Sequence, residues 1–554
     1  MLPTLFAPST TAVADSLPIT ALLALLPLLV FFVMLGVFKI ATHWCAIGSL
    51  AVALAVAGFA LKMPLSLSLL SASQGAVFGL LVICYIVVAA VWLYNITEAS
   101  GRAADVRTIF SLVGKGDLRV QALLISFCFC GMLEGLAGFG APVAITCAML
   151  LALGLSPLKA ALATMVGNSL NVAFGAMAIP MITTARLGGV TTEVLTSTST
   201  RITPIFFLII PFLLLAMFDG ARGVRQLWPA ALVSGAGMGA GHFITAHFIS
   251  FELTAVVASL ISFVLTGLLL VVWRPPTPEE QRSETDTARM KISPARIGLA
   301  LLPYIFVVSV FAVAKLWRIG WDIPAALKST DLPIPWPGLD GNIGTVAGEV
   351  SKDTIFVLSS LSSPGTMLLF AGIVVTLVYA STSSGGLFPF TIRQGIATLG
   401  TTLSSLKTAI FTIACVMALA YTMNFSGQTV AIGTWLATTG AAFAFFAPFL
   451  GWLGTAVTGS ATSAGALFAN LHSAAAQQAG LSPQLLLAVN EIGGGTGKIV
   501  SPQNLAIAAT AVKQEGLESE LLRKAAPYSL GLVTLLGVIT FLASIGVLGF
   551  LIAH

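Results

Sequence analysis

The sequence predicts an all-α polytopic membrane protein with about 12–14 transmembrane helices, some of them re-entrant or interrupted. Of its 554 residues, 57% are hydrophobic and only 8% are charged, whereas soluble domains carry about 25% charged residues. The longest polar stretches, 274–296 and 316–353, are too short to form an independent core. Residues 1–554 are therefore expected to form a single transmembrane domain.

The apolar runs differ in length, and this difference predicts two kinds of helix. The runs lie near residues 17–38, 43–61, 75–97, 120–133, 140–154, 160–182, 204–218, 229–248, 252–273, 297–315, 355–379, 408–423, 441–458, 462–480, 484–490, 504–512 and 527–552. A run of about 20 residues crosses a ~30 Å hydrocarbon core, whereas a much shorter run cannot cross alone. The short runs are therefore expected to belong to re-entrant or interrupted helices.

Basic loops predict which side of the membrane each helix end faces. Lys and Arg residues concentrate in the loops 98–119, 219–228 and 274–296, and again around Lys407 and Lys513. These loops are expected to be cytoplasmic. The segment 316–353 is rich in Asp, Pro and Gly and is expected to be external. Counting crossings between these loops places both termini outside.

Two segments of the chain repeat the same order of features, which predicts two structural repeats. The sequence Gly-Leu-Ser-Pro occurs at 154–157 and again at 480–483. Each copy follows a polar interruption, Glu134 or Ser460, and precedes an Asn-to-Pro span, Asn168 to Pro180 or Asn490 to Pro502. Paired Gly/Pro-interrupted segments in corresponding halves indicate a transporter binding site. The site segments are therefore expected near 119–190 and 445–513.

The first candidate site surrounds Glu134, the only ionisable residue between Arg119 and Lys159. A charged side chain near the bilayer centre costs at least ~2.5 kcal/mol and marks a functional position. Gly138 and Gly140 follow it and allow a turn at which backbone N–H groups can hold a carboxylate. A proton carrier at Glu134 explains this pattern. The alternatives are a structural hydrogen-bond partner at Glu134 and close helix packing at the glycines.

Two further polar segments lie in the second half. Ser460, Thr462 and Ser463 offer hydroxyl groups for a substrate, although such residues often bond only to their own helix. Residues 490–503 contain three consecutive glycines, Asn490, Glu491, Lys498 and Gln503. Lys498 is expected to neutralise a substrate carboxylate, or to pair with Glu491 or Glu134. Snorkelling to the membrane surface is the alternative for Lys498.

The remaining candidates are weaker. Arg186 and Arg201 flank a Thr/Ser-rich stretch and are either anion contacts or membrane-edge anchors. His472 is either a proton relay or a packing residue. The sequence has no Ser/His/Asp set and no cluster with metal-ligand spacing, so an enzyme, a metal site and a bound cofactor are not expected. The net charge of +5 does not suggest nucleic-acid binding.

At these segments the chain closely resembles the L-lactate permease family of bacterial inner-membrane transporters, and the resemblance spans nearly the whole chain. Its strongest stretches are LEGLAGFGAPVAI at 133–145, AFGAMAIP at 173–180, MFDGARGV at 217–224, FAPFLGWLG at 446–454 and TGKIVSPQ at 496–503. The resemblance implies import of lactate, and often glycolate, together with a proton. It also implies two repeats with re-entrant hairpins, and functional roles for Glu134, Lys498 and Gln503.

Three positions depart from the family pattern. The family usually has Asp where this chain has Ala461, Asn where it has Gly465, and a small polar residue where it has Glu491. If the missing acid binds substrate or a proton, Glu491 is a candidate to replace it. These departures bear on the substrate and on the coupling stoichiometry, not on membership.

Together these observations predict a multi-pass carrier of the bacterial inner membrane that couples protons to uptake of L-lactate, D-lactate and glycolate. Its partners are then the monocarboxylate, the proton and the lipid bilayer, and homo-oligomerisation stays open. Ser460, Thr462, Asn168 and Asn490 are expected to contact the substrate hydroxyl or to line the pathway. A sodium-coupled carboxylate carrier and a passive monocarboxylate channel are the alternatives.

Overall fold

The computed structural model describes residues 5–114, 116–138, 140–282, 293–317, 321–345, 348–514 and 516–553. Parts of the two predicted polar loops, 283–292 and 318–320 with 346–347, lie outside the described residues. The described chain is predominantly helical, with one small two-stranded sheet. The helical fold predicted from the composition is therefore confirmed.

The first half of the chain contains eleven α-helices, several of which continue through short π-helical segments. They are α1 (Leu17–Gly36), α2 (Thr42–Ala55), α3 (Leu65–Phe78), α4 (Tyr85–Ala99), α5 (Ala103–Val113), α6 (Leu118–Leu123), α7 (Cys130–Leu136), α8 (Ala141–Ala152), α9 (Pro157–Asn168), α10 (Gly175–Gly188) and α11 (Thr192–Ile244). The π-helical segment Leu124–Phe129 joins α6 to α7, and Gly79–Cys84 joins α3 to α4.

The second half continues with eleven more α-helices and two strands. They are α12 (Thr254–Val272), α13 (Pro294–Leu316), α14 (Ile323–Lys328), β1 (Leu332–Pro335), β2 (Ile355–Leu358), α15 (Pro364–Ser381), α16 (Ile392–Phe425), α17 (Gln428–Ala437), α18 (Ala442–Thr458), α19 (Ala461–Ala479), α20 (Pro483–Lys498), α21 (Pro502–Ala511) and α22 (Glu518–Ser544). The strands β1 and β2 pair antiparallel within the predicted external segment.

Within the described residues, ten helices are long and apolar enough to cross a membrane, and the pair α9–α10, bent by 58°, makes eleven. The 53 residues of α11 would extend ~80 Å if straight. Its backbone instead leaves the helical conformation at Asp219–Gly220. A Cβ atom at Gly235 would lie 2.5 Å from the carbonyl oxygen of Phe207. The two arms of α11 are therefore packed side by side and make two crossings.

Two helical hairpins turn back inside the protein. Hairpin 1 is α7–α8, and its tip contains Gly140 with φ +89°. Hairpin 2 is α18–α19, and its tip contains Gly459 with φ +74°. Residues with a side chain rarely adopt this left-handed conformation, which is why glycine occupies both tips. The helix Leu118–Leu136 is thus a hairpin arm and not a crossing.

Each hairpin is followed by a broken helix, α9–α10 after hairpin 1 and α20–α21 after hairpin 2. Ser156 and Ser482 precede α9 and α20, each with proline at the start of the helix. The order of elements predicted from the repeated Gly-Leu-Ser-Pro sequence is present in both halves. The two arms of α11 add one crossing to the eleven, and α20–α21 replaces the hairpin arm as a crossing. The described part of the chain therefore makes twelve crossings, the lower end of the expected range.

The two repeats are inverted relative to each other. The turn before α9 lies at one end of the first arm of α11, where Lys159 Nζ donates to the carbonyl oxygen of Phe218 at 2.9 Å. The start of α20 lies at the other end. There Gln484 Nε2 donates to the oxygen of Ala553 at 3.1 Å, and the Ala553 N–H donates to Thr198 Oγ1 at 3.2 Å. Thr198 and Phe218 are twenty positions apart, ~30 Å along a helix, so the two turns lie on opposite faces.

The chain termini share one face, which we call the terminal face. Phe6 forms a bridge with Ile343, and Arg186 at the end of α10 donates to the carbonyl oxygen of Ile355 at 3.1 Å. Because α10 leads directly into the end of α11 that holds Ala553, both termini lie at this face. The opposite face carries the Arg-rich loops, and we call it the basic face.

Close packing of α18 on α20 supports the second repeat. A Cβ atom at Gly451 would lie 1.9 Å from the carbonyl oxygen of Asn490. We expect Gly451→Ala to push these helices apart and to destabilise the protein by more than the ~1–3 kcal/mol of ordinary overpacking. Thermal unfolding of the detergent-solubilised protein measures this. Gly531→Ala, at a glycine with open space around it, is the control, and equal stability of the two variants would contradict the packing argument.

Candidate functional site

The two repeats meet at an ion pair. Lys498 Nζ lies 2.8 Å from Glu134 Oε1, and the side chains are 9% and 2% exposed. Asn168 Nδ2 donates to the other carboxylate oxygen of Glu134 at 2.7 Å. Glu134 lies just before the tip of hairpin 1, and Lys498 and Asn168 are the last residues of α20 and α9. The breaks in three helices thus bring together one acid, one base and one amide.

A cavity of about 510 Å³ adjoins this ion pair, and we call it the tip cavity because both hairpin tips line it. Eight of the predicted site residues form part of its wall. They are Glu134, Gly138, Gly140, Ser460, Thr462, Ser463, Lys498 and Gln503. The other predicted amides, Asn168 and Asn490, are not part of the wall and contact Glu134 and Glu491.

Three helices begin at the wall of the tip cavity: α8 at Gly140, α19 at Ser460 and α21 near Gln503. The N-terminus of a helix carries a partial positive charge and free N–H groups, which attract anions. Ser460 Oγ caps its own helix by accepting from the N–H of Ser463 at 3.2 Å. Gly140 provides no side-chain cap to α8. The cavity therefore combines one buried carboxylate with several groups that favour negative charge.

Residues of α2 and α16 complete the wall, and the sequence analysis did not identify them. Thr42 and His43 stand at the start of α2, and Ser405, Thr408 and Thr412 follow one side of α16. The start of α2 lies at the basic face, so the tip cavity lies toward that face. The hydroxyl residues of α16 are spaced three and four positions apart, and this spacing is typical of a polar helix face.

A second buried carboxylate lies outside the wall of the tip cavity. Glu491 is 1% exposed, and its Oε1 accepts from Thr184 Oγ1 at 2.6 Å and from Asn490 Nδ2 at 3.1 Å. A Cβ atom at Gly465 would lie 2.5 Å from Oε1 of Glu491 and 2.1 Å from Oγ1 of Thr184. Two of the three departures from the family pattern, Gly465 and Glu491, are thus in direct contact. The Glu491 carboxylate fills the space that a side chain at position 465 would need.

This contact predicts an interaction between substitutions at the two positions. Gly465→Asn alone is expected to destabilise the protein by at least ~2 kcal/mol, because the new side chain overlaps two buried oxygen atoms. Adding Glu491→Ser is expected to restore most of the lost stability, because the shorter residue frees the space. A double-mutant cycle of thermal unfolding measures the interaction. Additive effects of the two substitutions would show that the side chains do not compete for space.

The weaker candidates lie away from the tip cavity. Arg201 donates to the carbonyl oxygens of Phe550 and Ile552 at 3.3 and 2.9 Å. His472 is buried between α18 and α19, with its ring nitrogens 2.9 and 3.1 Å from carbonyl oxygens. Arg186 lines a different cavity, at the terminal face. Within the part of the chain that is described, no group of three or more His, Cys, Asp or Glu residues is arranged to hold a metal ion.

The chain is similar to known permeases along nearly its whole length. The family model described as L-lactate permease matches residues 20–546. Glycolate permease GlcA of Escherichia coli (strain K12) is 36% identical over 558 residues, covering 97% of this chain and 98% of that protein. The L-lactate permease of the same strain is 37% identical over 545 residues, covering 96% of each.

Among solved structures, MtrF of Neisseria gonorrhoeae, described as illuminating a class of antimetabolite efflux pumps, has a TM-score of 0.43 at 17% identity. The similarity covers 84% of this chain and 82% of that one. This likeness is too distant to inform the site. The sequence comparisons cover nearly the full length of the chain, and they show that it belongs to the L-lactate permease family.

Proposed function

We propose that this protein imports L-lactate, and with it D-lactate and glycolate, across the bacterial inner membrane together with a proton. Relatives named as L-lactate and glycolate permeases support the substrate class. The observation that carries the proposal is the buried Glu134–Lys498 ion pair in the wall of the tip cavity. This arrangement is suited to moving a substrate without changing its covalent structure, as a carrier does.

The tip cavity suits a small hydroxy acid. Its volume of about 510 Å³ is ample for glycolate or lactate, with about five or six heavy atoms, and accompanying water. Lys498 supplies the cation for the substrate carboxylate, supported by the N-termini of α8 and α19. Ser460, Thr462 and Gln503 supply hydroxyl and amide groups within the same wall and contact the 2-hydroxyl group.

Competition for Lys498 couples the proton to the anion. In the absence of substrate, the ammonium group of Lys498 is bound to Glu134. A substrate carboxylate that takes Lys498 would leave the charge of Glu134 buried and unpaired, which costs several kcal/mol. A proton on Glu134 removes that charge, so anion and proton bind together. Entry of an anion against a negative interior costs about 2.3 kcal/mol per 100 mV, which one proton cancels.

The two faces give the carrier its orientation. The Arg-rich loops of the basic face belong in the cytoplasm by the positive-inside rule, so both termini are external. The tip cavity lies toward the basic face, and the conformation described here therefore corresponds to the cytoplasm-facing state. Uptake requires a second conformation in which the Glu134–Lys498 pair is reached from the terminal face.

Uptake of L-lactate into liposomes that contain the purified protein tests this function. With an acidic exterior and no sodium, lactate is expected to accumulate above equilibrium, and a protonophore is expected to abolish the accumulation. Accumulation that depends on sodium would replace the proposal with a sodium-coupled carrier. Flux that stops at equal concentrations under every ion gradient would indicate a passive channel.

A further inference from the structure

Glu491 lies in a buried layer between two cavities. The terminal-face cavity has a volume of about 560 Å³ and is lined by Arg186 and Gly188 of α10 and by Asn470 and Ser473 of α19. The same two helices line the tip cavity, α10 with Ile179 and Pro180, and α19 with Ser460 to Ser463. Thr184 and Gly465, which contact Glu491, stand between these positions on α10 and α19.

The layer is thin. Pro180 and Arg186 are six positions apart, and Ser463 and Asn470 are seven positions apart, which corresponds to ~9 and ~10 Å along a helix. The Glu491 carboxyl group, bound to Thr184, is therefore within about two helical turns of both cavities. It is the acidic group nearest to the middle of this layer on α10, α19 and α20, which otherwise carry no acid.

Burial without a neighbouring cation favours the neutral form of Glu491. Oε1 accepts two hydrogen bonds, whereas the buried Oε2 has no hydrogen-bond partner in the described chain. The bases nearest to this part of α20 are engaged elsewhere. They are Arg186 with Ile355, Arg201 with the C-terminal segment, His242 with Asn171, His472 with Phe468 and Ala447, and Lys498 with Glu134. The remaining bases of α11, Arg222 and Arg225, follow its break at Asp219–Gly220 on the basic face. Further, α18 has no charged residue, and the charges of α22 lie between Glu518 and Lys524. A buried carboxylate without a cation costs several kcal/mol, so the protonated acid is the stable form here.

We propose that Glu491 is a second proton-binding group of this carrier, and that two protons accompany each lactate, one on Glu134 and one on Glu491. This inference rests on the proposed proton-coupled function. The Glu491 carboxylate accepts a proton from water in the terminal-face cavity and returns it to water on the side of the tip cavity. No other bond changes. Each cycle then carries one net positive charge inward, so the membrane potential drives uptake in addition to the pH gradient.

Glu491→Gln tests the inference because the amide keeps the shape of the side chain and cannot take up a proton. Proton and lactate fluxes are measured together in proteoliposomes, with a pH-sensitive dye inside and radiolabelled L-lactate outside. The wild-type protein is expected to move two protons per lactate, and its uptake is expected to accelerate when valinomycin sets an interior-negative potential. Glu491→Gln is expected to move one proton per lactate and to lose the response to potential. Glu520→Gln, at an exposed acid, is the matched control and is expected to behave like wild type.

A Glu491→Gln protein that keeps the two-proton ratio overturns the inference. So does a wild-type ratio of one proton, which leaves the proposed function intact, whereas a wild-type ratio of zero removes the proposed function itself. Lactate exchange at equal pH shows whether each variant is folded. If the Glu491→Gln protein does not fold, Gly465→Asn/Glu491→Ser supplies a second variant, in which the neutral amide of the new asparagine fills the same space. This double variant is also expected to move one proton fewer per lactate.

Discussion

Glu134→Gln is expected to lower proton-driven accumulation of L-lactate at least ~10-fold per pH unit, because the proton on Glu134 is lost, while leaving exchange of internal for external lactate measurable. Each coupled proton supports about tenfold accumulation per pH unit, since one unit is worth 1.36 kcal/mol. The glutamine amide keeps one acceptor oxygen, enough for Lys498, but its NH2 group cannot accept from Asn168 and it carries no titrating proton. During exchange the carrier crosses the membrane with lactate bound in both directions. Exchange therefore requires no net release of a proton. The accumulation ratio in proteoliposomes under an imposed pH gradient is the measurement.

The control for this prediction is Glu193→Gln, an exposed acid at the start of α11. It is expected to keep the wild-type accumulation ratio. If Glu134→Gln also accumulated lactate to the wild-type ratio, Glu134 would not carry the coupled proton. The carboxylate would then serve only to hold Lys498 in place.

Lys498→Met is expected to lower L-lactate transport by ~100-fold or more, in exchange as well as in accumulation. The substitution removes the cation for the substrate carboxylate and leaves Glu134 without its partner. Removing one member of a buried ion pair costs ~3–5 kcal/mol, so the variant is also expected to unfold at lower temperature. Counterflow of radiolabelled lactate and thermal unfolding measure the two effects.

A second substitution separates the two effects of Lys498. Glu134→Gln/Lys498→Met carries neither charge, so it is expected to recover most of the stability that Lys498→Met loses. Transport is expected to stay lost, because no cation faces the substrate. Lys524→Met, at an exposed lysine of α22, is the control. Recovery of transport in the double variant would mean that Lys498 only balances the charge of Glu134.

The positions of hairpins and breaks were readable from the sequence because glycine and proline have local effects. Gly140 and Gly459 adopt left-handed conformations at the two tips, and each Leu-Ser-Pro sequence starts a helix. The relative orientation of the repeats was not readable, because it depends on contacts between distant segments. That orientation is fixed by the contacts of Lys159 with Phe218 and of Ala553 with Thr198. No local sequence pattern predicts either contact.

The candidate site was predictable in part for the same reason. A lone acid and a lone base in apolar segments marked Glu134 and Lys498. The sequence left open whether Lys498 pairs with Glu134 or Glu491, since both acids are near glycine-rich breaks. In the structure Lys498 forms an ion pair with Glu134, and Glu491 accepts a hydrogen bond from Thr184. Thr184 was not predictable as a partner of Glu491, because nothing in the sequence distinguishes it from the other threonines and serines around it.

The Glu134–Lys498 pair also has a consequence for biogenesis. Its members are 364 positions apart in the chain, so hairpin 1 is synthesised long before its cation exists. At ~5–20 residues per second, the ribosome needs roughly 20–70 s to reach Lys498. During that time the nascent hairpin holds an acid that costs about 2.5–3.5 kcal/mol to insert. Chains that terminate before position 498 therefore keep in the membrane an acid that never receives its cation.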